Sequence, residues 1–120
     1  MVTLGFGYSL LDDETGIFSR KFYAFSVPDM TSDQFDDLDQ AFDHPDRDEW
    51  DCVFDEAGST ATIDCCDFFS TEKTPPDTFL WADYNVIVPE KKIIRGCEIL
   101  RNFFIGKGMA CSAISEFSEY

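Results

Sequence analysis

Basic residues and histidine are scarce in this 120-residue chain, and its longest apolar runs are only a few residues. Nine Lys and Arg oppose 24 Asp and Glu, with a single histidine, so the formal net charge is -15. An excess of negative charge on this scale repels DNA, RNA and anionic membranes at ordinary ionic strength. No run approaches the roughly 20 apolar residues that a membrane-spanning helix needs. We therefore expect a chain that binds neither nucleic acid nor a membrane directly.

Targeting signals are also lacking. Residues 1–14 contain neither the basic start nor the apolar core of a signal peptide. The five cysteines are an odd number, and the neighbours Cys65 and Cys66 cannot easily pair with each other. This usage is typical of a reduced chain, and it predicts a location in the cytoplasm of a host cell.

The sequence also lacks the signatures of catalytic sites and of metal sites. A Ser-His-Asp or Cys-His site would have to use His44, and the cysteines lack the paired spacing of zinc ligands. No glycine-rich phosphate loop occurs, and an EF-hand starting at Asp46 would place Trp50 at the fifth position and no glycine at the sixth. Because acids are so abundant, a pair of carboxylates at catalytic separation carries no information. The sequence predicts a protein that is not an enzyme and has no cofactor and no specific metal site.

What the chain does contain is enough apolar material for a core. Hydrophobic residues make up 44% of the sequence and include 13 phenylalanines, so we expect residues 1–120 to form one folded domain. Apolar residues alternate from Val2 to Leu10, and turn-forming residues 12–16 separate them from a second strand at 17–27. The first 27 residues therefore predict a hairpin. The other face of its first strand holds Gly5 and Gly7 and is small enough for a helix or a partner to approach closely, but the interpretation we favour is a weakly packed face open to solvent.

A helix is predicted directly after this hairpin. Thr31 is a suitable N-cap, Gln34 can complete a capping box, and Met30 can pack on Phe35. Apolar residues then recur at helical spacing up to a stop at Pro45, namely at Phe35, Leu38 and Phe42.

The remaining elements alternate strand and helix signals. Residues 49–69 predict a second hairpin, 80–88 a fifth strand, and 109–117 a last strand. Between the last two, Pro89 opens a second helix with an apolar stripe at Ile93, Cys97, Leu100 and Phe104. The fold class predicted is α+β, a mainly antiparallel sheet of five or six strands with two helices, in the order ββαβββαβ.

Charge is distributed very unevenly along the chain. Residues 29–56 hold 12 acids, ten of them Asp, against the single base Arg47. Five bases belong instead to the region of the second predicted helix, namely Lys91, Lys92, Arg95, Arg101 and Lys107. On a helix, acids at i, i+3 and i+4 are neighbours and form a dense row of negative charge that resembles a nucleic-acid backbone. The candidate partner-binding residues are Asp33, Asp36, Asp37, Asp39, Asp43, Asp46, Asp48, Glu49 and Asp51.

These features predict an acidic inhibitor that covers the nucleic-acid-binding surface of a basic protein, such as a nuclease or a nucleic-acid-binding complex. Nucleic-acid mimics of the phage anti-defence or anti-CRISPR type work in this way. One alternative is an immunity protein that neutralises a nuclease toxin, with Trp50 and His44 as anchors among the acids. Another is a non-catalytic adaptor or dimerisation module whose acids serve only solubility or salt adaptation, and a homodimer through the second helix and last strand is left open.

Overall fold

The computed structural model describes residues 1–40, 49–61, 67–69, 77–84 and 88–119. The elements in chain order are β1 (Val2–Leu11), β2 (Phe18–Val27), α1 (Ser32–Gln40), α2 (Glu49–Thr60), β3 (Asp67–Phe69), β4 (Thr78–Tyr84), α3 (Glu90–Gly106) and β5 (Ser115–Glu119). The strands form one sheet in the order β3-β4-β1-β2-β5. The β1–β4 pair is parallel, and the other three pairs are antiparallel. The α+β class is confirmed, whereas the parallel pair and the third helix were not predicted.

The first hairpin forms as predicted, with Val2 opposite Val27 and Leu11 opposite Phe18. Its turn is held by the Asp12 carboxylate, whose Oδ1 accepts the backbone N–H of Glu14 at 2.9 Å. This hydrogen bond, together with one from the Thr15 backbone N–H to the same oxygen at 3.3 Å, holds the pKa of Asp12 below its ordinary value. Gly16 completes the turn at a φ of 69°, which a residue without a Cβ adopts without strain.

One face of the sheet carries the main core, because alternate residues of a strand point to the same side. The strands contribute Val2, Leu4, Phe6, Tyr23, Phe25, Val27 and Trp81 to this core, and all three helices place buried side chains in it. A smaller cluster lies on the opposite face and contains Phe22, Ala24, Leu80 and Ala82, with Phe117 packed against it. Strand β4 is therefore buried on both faces, as is usual for a strand with a parallel neighbour.

The glycine face of β1 is not the open, solvent-facing side that we expected. Gly5 and Gly7 are both buried. A Cβ at Gly5 would overlap the carbonyl oxygen of Tyr23, and a Cβ at Gly7 would overlap that of Lys21. The two glycines thus let β2 approach β1 more closely than any residue with a side chain would allow.

The predicted second hairpin was wrong over residues 49–60, which form α2. Trp50, Cys52 and Phe54 alternate like a strand, but Trp50, Phe54, Ala57 and Ala61 also recur at helical spacing. The structure buries this second set and leaves Cys52 exposed. The core selects the helix because it covers more apolar surface with the spacing of three and four than with the spacing of two.

The last helix agrees closely with the sequence. The predicted stripe of Ile93, Cys97, Leu100 and Phe104 is buried, and the chain leaves α3 through Gly108 at a φ of 82°. Arg101 then holds the following segment, since its Nε donates to the carbonyl oxygen of Ser112 at 2.6 Å. Strand β5 overlaps the predicted last strand only at residues 115–117, because it begins at Ser115 and continues to Glu119.

Candidate partner-binding surface

Helix α1 starts at the capping box that the sequence predicted. The Thr31 backbone N–H donates to Gln34 Oε1 at 3.0 Å, and the Gln34 N–H donates to Thr31 Oγ1 at 3.2 Å. This reciprocal pair satisfies two backbone donors at the helix start, and removal of such a cap typically costs about 1 kcal/mol. The cap therefore sets where the acidic helix begins.

Phe35 determines which side of α1 faces solvent. Its side chain is buried, and its ring stacks on Phe79 of β4 with the centroids 4.0 Å apart. It also meets the edge of Trp50 from α2 at 6.3 Å. With this residue turned into the core, Asp33, Asp36 and Asp37 are exposed.

The three exposed aspartates stand at i, i+3 and i+4, so they are neighbours on one helix face with Cβ atoms about 5–6 Å apart. Helix α1 contains no Lys or Arg. The structure thus brings these three predicted residues together on the surface. Asp39 belongs to α1, but only its backbone is described, and Asp43, Asp46 and Asp48 lie outside the described residues, as does His44.

Two predicted residues belong to the first turn of α2, and they differ in exposure. Glu49 is exposed and forms an ion pair with Lys107 of α3, with Oε2 2.7 Å from Nζ. Asp51 is 0% exposed, so we remove it from the candidate surface. The strand pattern had placed Asp51 on the polar side, whereas the helix turns it inward. Trp50 is also buried in the aromatic core, so it is not an exposed anchor.

The helical conformation of α2 exposes two acids that were not among the candidates, Asp55 and Glu56. Both belong to the acidic segment of residues 29–56, and this membership was the feature of the sequence from which they could have been predicted. We use the term acidic surface below for the exposed carboxylates of α1 and α2, namely Asp33, Asp36, Asp37, Glu49, Asp55 and Glu56.

Basic residues occur along the whole length of α3, from Lys91 in its first turn to Lys107 directly after its end. Gly96 packs on Ala57 and Ala61, and Lys107 reaches Glu49, so α2 and α3 run antiparallel. Lys91 and Lys92 are exposed in the first turn of α3. At 1.5 Å per residue they lie about 24 Å along the helix from Lys107. Asp55 and Glu56 directly precede Ala57, which packs on Gly96, so acids and bases are interspersed along the α2–α3 pair, with Glu49 and Lys107 in contact at one end.

Burial makes the thiols of Cys97 and Cys111 poor nucleophiles. Cys97 Sγ donates to the carbonyl oxygen of Tyr23 at 3.0 Å, and burial raises its pKa to about 12. Burial also raises the pKa of Cys111. Within the described ranges, no three His, Cys, Asp or Glu side chains are grouped so that they could hold a metal ion.

Comparison of the chain with protein-family models, with curated proteins and with solved structures found no match. Among the described helices, none has both the length and the apolar character needed to cross a membrane.

Proposed function

We propose that the chain is a non-enzymatic inhibitor that covers the basic nucleic-acid-binding surface of a partner protein in the cytoplasm of a host cell. The observation that carries the proposal is the exposed row of Asp33, Asp36 and Asp37 on α1, a helix without any base. Nucleases and nucleic-acid-binding complexes of the kind that phage anti-defence proteins block have surfaces of the required sign.

The row of aspartates suits a basic partner because buried contacts of α1 fix the direction in which the row faces. The buried ring of Phe35 and the capping box at Thr31 determine the direction of the helix face before any partner arrives. A preorganised row loses little conformational entropy on binding, and aspartate has fewer rotatable bonds to order than glutamate. The negative potential of the row and the positive potential of the partner also steer the two proteins together, so the association rate falls as salt screens this attraction.

Glu49 also belongs to the acidic surface, but a partner that binds its carboxylate has to displace Lys107. Its carboxylate is already paired with Lys107, although both side chains remain more than half exposed. An exposed pair of this kind contributes only about 0–1 kcal/mol, so an arginine or lysine of a partner can compete for the carboxylate.

The test compares two variants with the same change of charge. The first, D33N/D36N/D37N, neutralises the row on α1. The control, D13N/E14Q/D77N, neutralises three exposed acids outside α1 and α2. Each protein is immobilised and exposed to host lysate at about 50 mM NaCl, and captured proteins are challenged with salt and with a DNA duplex.

We expect the wild type and the control to retain a basic protein that the duplex displaces. The α1 variant should bind it about 10- to 100-fold more weakly, because three charged contacts are lost. Equal retention by both variants would refute the role of α1 and favour the adaptor hypothesis. Capture of a nuclease that neither salt nor DNA displaces would favour the immunity hypothesis, although the buried Trp50 removes one of the two anchors on which that hypothesis depended.

A further inference from the structure

Strand β5 ends one side of the sheet. It pairs with β2 from Ala24–Ser115 to Arg20–Glu119, and no other described strand lies beside it. Ser115, Glu116 and Ser118 are exposed. An edge strand presents unpaired backbone N–H and C=O groups to its surroundings and can accept a further strand.

Acids on an edge strand usually discourage such pairing, but the charge of Glu116 is offset from within the chain. Glu116 Oε1 is 3.5 Å from Lys21 Nζ. Lys21 also forms an ion pair with Glu90 of α3, which holds the lysine beside β5. Glu116 therefore contributes less repulsion at this edge than an unpaired glutamate would.

The sequence of β5 is self-complementary about its centre. In an antiparallel pair of two β5 strands related by a two-fold axis through Phe117, Phe117 meets its counterpart in the second copy. Position 115 then stands opposite position 119, and Glu116 stands opposite Ser118, so the Glu116 carboxylate of each copy faces a hydroxyl and not another carboxylate. Within one chain, Ser118 Oγ already lies 3.0 Å from Glu116 Oε1, so the hydroxyl and the carboxylate lie on the same side of the strand.

The apolar side of this arrangement is continuous as well. Phe117 packs on the smaller cluster of Phe22, Ala24, Leu80 and Ala82 while remaining partly exposed. A second Phe117 across the two-fold axis would cover the exposed part of the ring and join the two clusters.

We propose that the chain forms a two-fold symmetric homodimer by antiparallel pairing of β5 with β5, centred on Phe117. The occupant of the edge is a second copy of this chain. The dimer would present two acidic surfaces at once, but its formation does not depend on the proposed inhibitory function. Because each copy carries a net charge of -15, the dimer becomes tighter as salt screens the repulsion between the two copies.

The test uses opposite charges at one position, measured by sedimentation equilibrium at up to about 0.5 mM protein in low and high salt. S118E places a carboxylate opposite Glu116 of the second copy, and S118K places an ammonium there. Within one copy, residue 118 stands opposite Lys21. The fold of one copy should therefore favour S118E over S118K, whereas the dimer should favour S118K over S118E, so the two effects can be separated. S59E and S59K are charge-matched controls at an exposed position of α2.

We expect wild-type dimers whose dissociation constant is lower at high salt. S118E should raise this constant about tenfold, since the substitution acts twice in a symmetric pair, and S118K should lower it. The S59 variants should follow the wild type apart from the general effect of net charge. A monomeric wild type at every salt concentration, or S118 variants that match their S59 controls, would overturn the proposed dimer.

Discussion

The contact between α2 and α3 allows a sharp test through Gly96. A Cβ added at this glycine would lie 2.7 Å from the carbonyl oxygen of Ala57 and 3.1 Å from the Cβ of Ala61. The first distance is too short for a carbon beside a backbone oxygen, so one helix would have to move. The substitution G96A therefore sets an intrinsic gain in helix propensity against a packing conflict.

The magnitudes favour the packing conflict. Replacement of glycine by alanine inside a helix contributes about 1 kcal/mol of stability when nothing obstructs the new methyl group. Overpacking of a core contact typically costs about 1–3 kcal/mol, and the upper part of that range applies because the obstruction is backbone. We expect a net loss of about 1–2 kcal/mol. With about 2.1 cal/mol/K of unfolding entropy per residue, this corresponds to a fall in Tm of about 4–8 °C.

The control is G106A in the same helix. Gly106 is the last residue of α3, and a Cβ there would meet no atom within 4 Å. Alanine should therefore leave Tm unchanged or raise it slightly. Thermal unfolding followed by circular dichroism measures both variants at one protein concentration. If G96A melted at or above the temperature of the wild type, the close approach of α2 to α3 would be wrong, and so would the placement of Glu49 beside Lys107.

Two further predictions concern a buried thiol, Cys97, and the ion pair between Lys21 and Glu90. In the native protein, Cys97 should react with a maleimide at pH 8 more than about 100-fold more slowly than the exposed Cys52, because burial raises the pKa of Cys97 to about 12 and leaves almost no thiolate. Peptide mapping by mass spectrometry measures both rates. Equal rates would show that Cys97 is not in the core. The Lys21 ammonium lowers the pKa of Glu90 in the folded state. The Lys21–Glu90 ion pair therefore stabilises the fold above the ordinary pKa of glutamate, and this stabilisation is lost as the pH falls through the lowered pKa of the folded state. K21Q should therefore reduce the loss of stability on acidification in urea titrations, and an unchanged pH profile would contradict the link.

The parts of the fold that follow from short stretches of sequence could be predicted well. The capping box of α1 and the buried stripe of α3 each lie within one element, and the hairpin of β1 and β2 joins two strands that are consecutive in the chain. Turn chemistry, capping and hydrophobic spacing are local properties, and a strong local pattern leaves few alternatives.

The error at α2 shows where local patterns stop being sufficient. Trp50, Cys52 and Phe54 fit a strand, and Trp50, Phe54 and Ala57 fit a helix, so the two periodicities overlap over this short segment. Only contact with α3 and with the rings of Phe35 and Phe104 decides between them. That decision turns Asp51 into the core and leaves Asp55 and Glu56 in solvent, so the composition of the candidate surface depended on it.

By itself, the sequence determined the α+β class, the acidic character of the chain and the exposed aspartates of α1, because each follows from composition or from spacing within one element. Only the tertiary structure decided that β4 lies parallel to β1, that Gly5 and Gly7 allow β2 to approach closely, and that β5 ends the sheet. These features join residues far apart in the chain, and their free energy comes from surfaces that exist only after the elements have packed together.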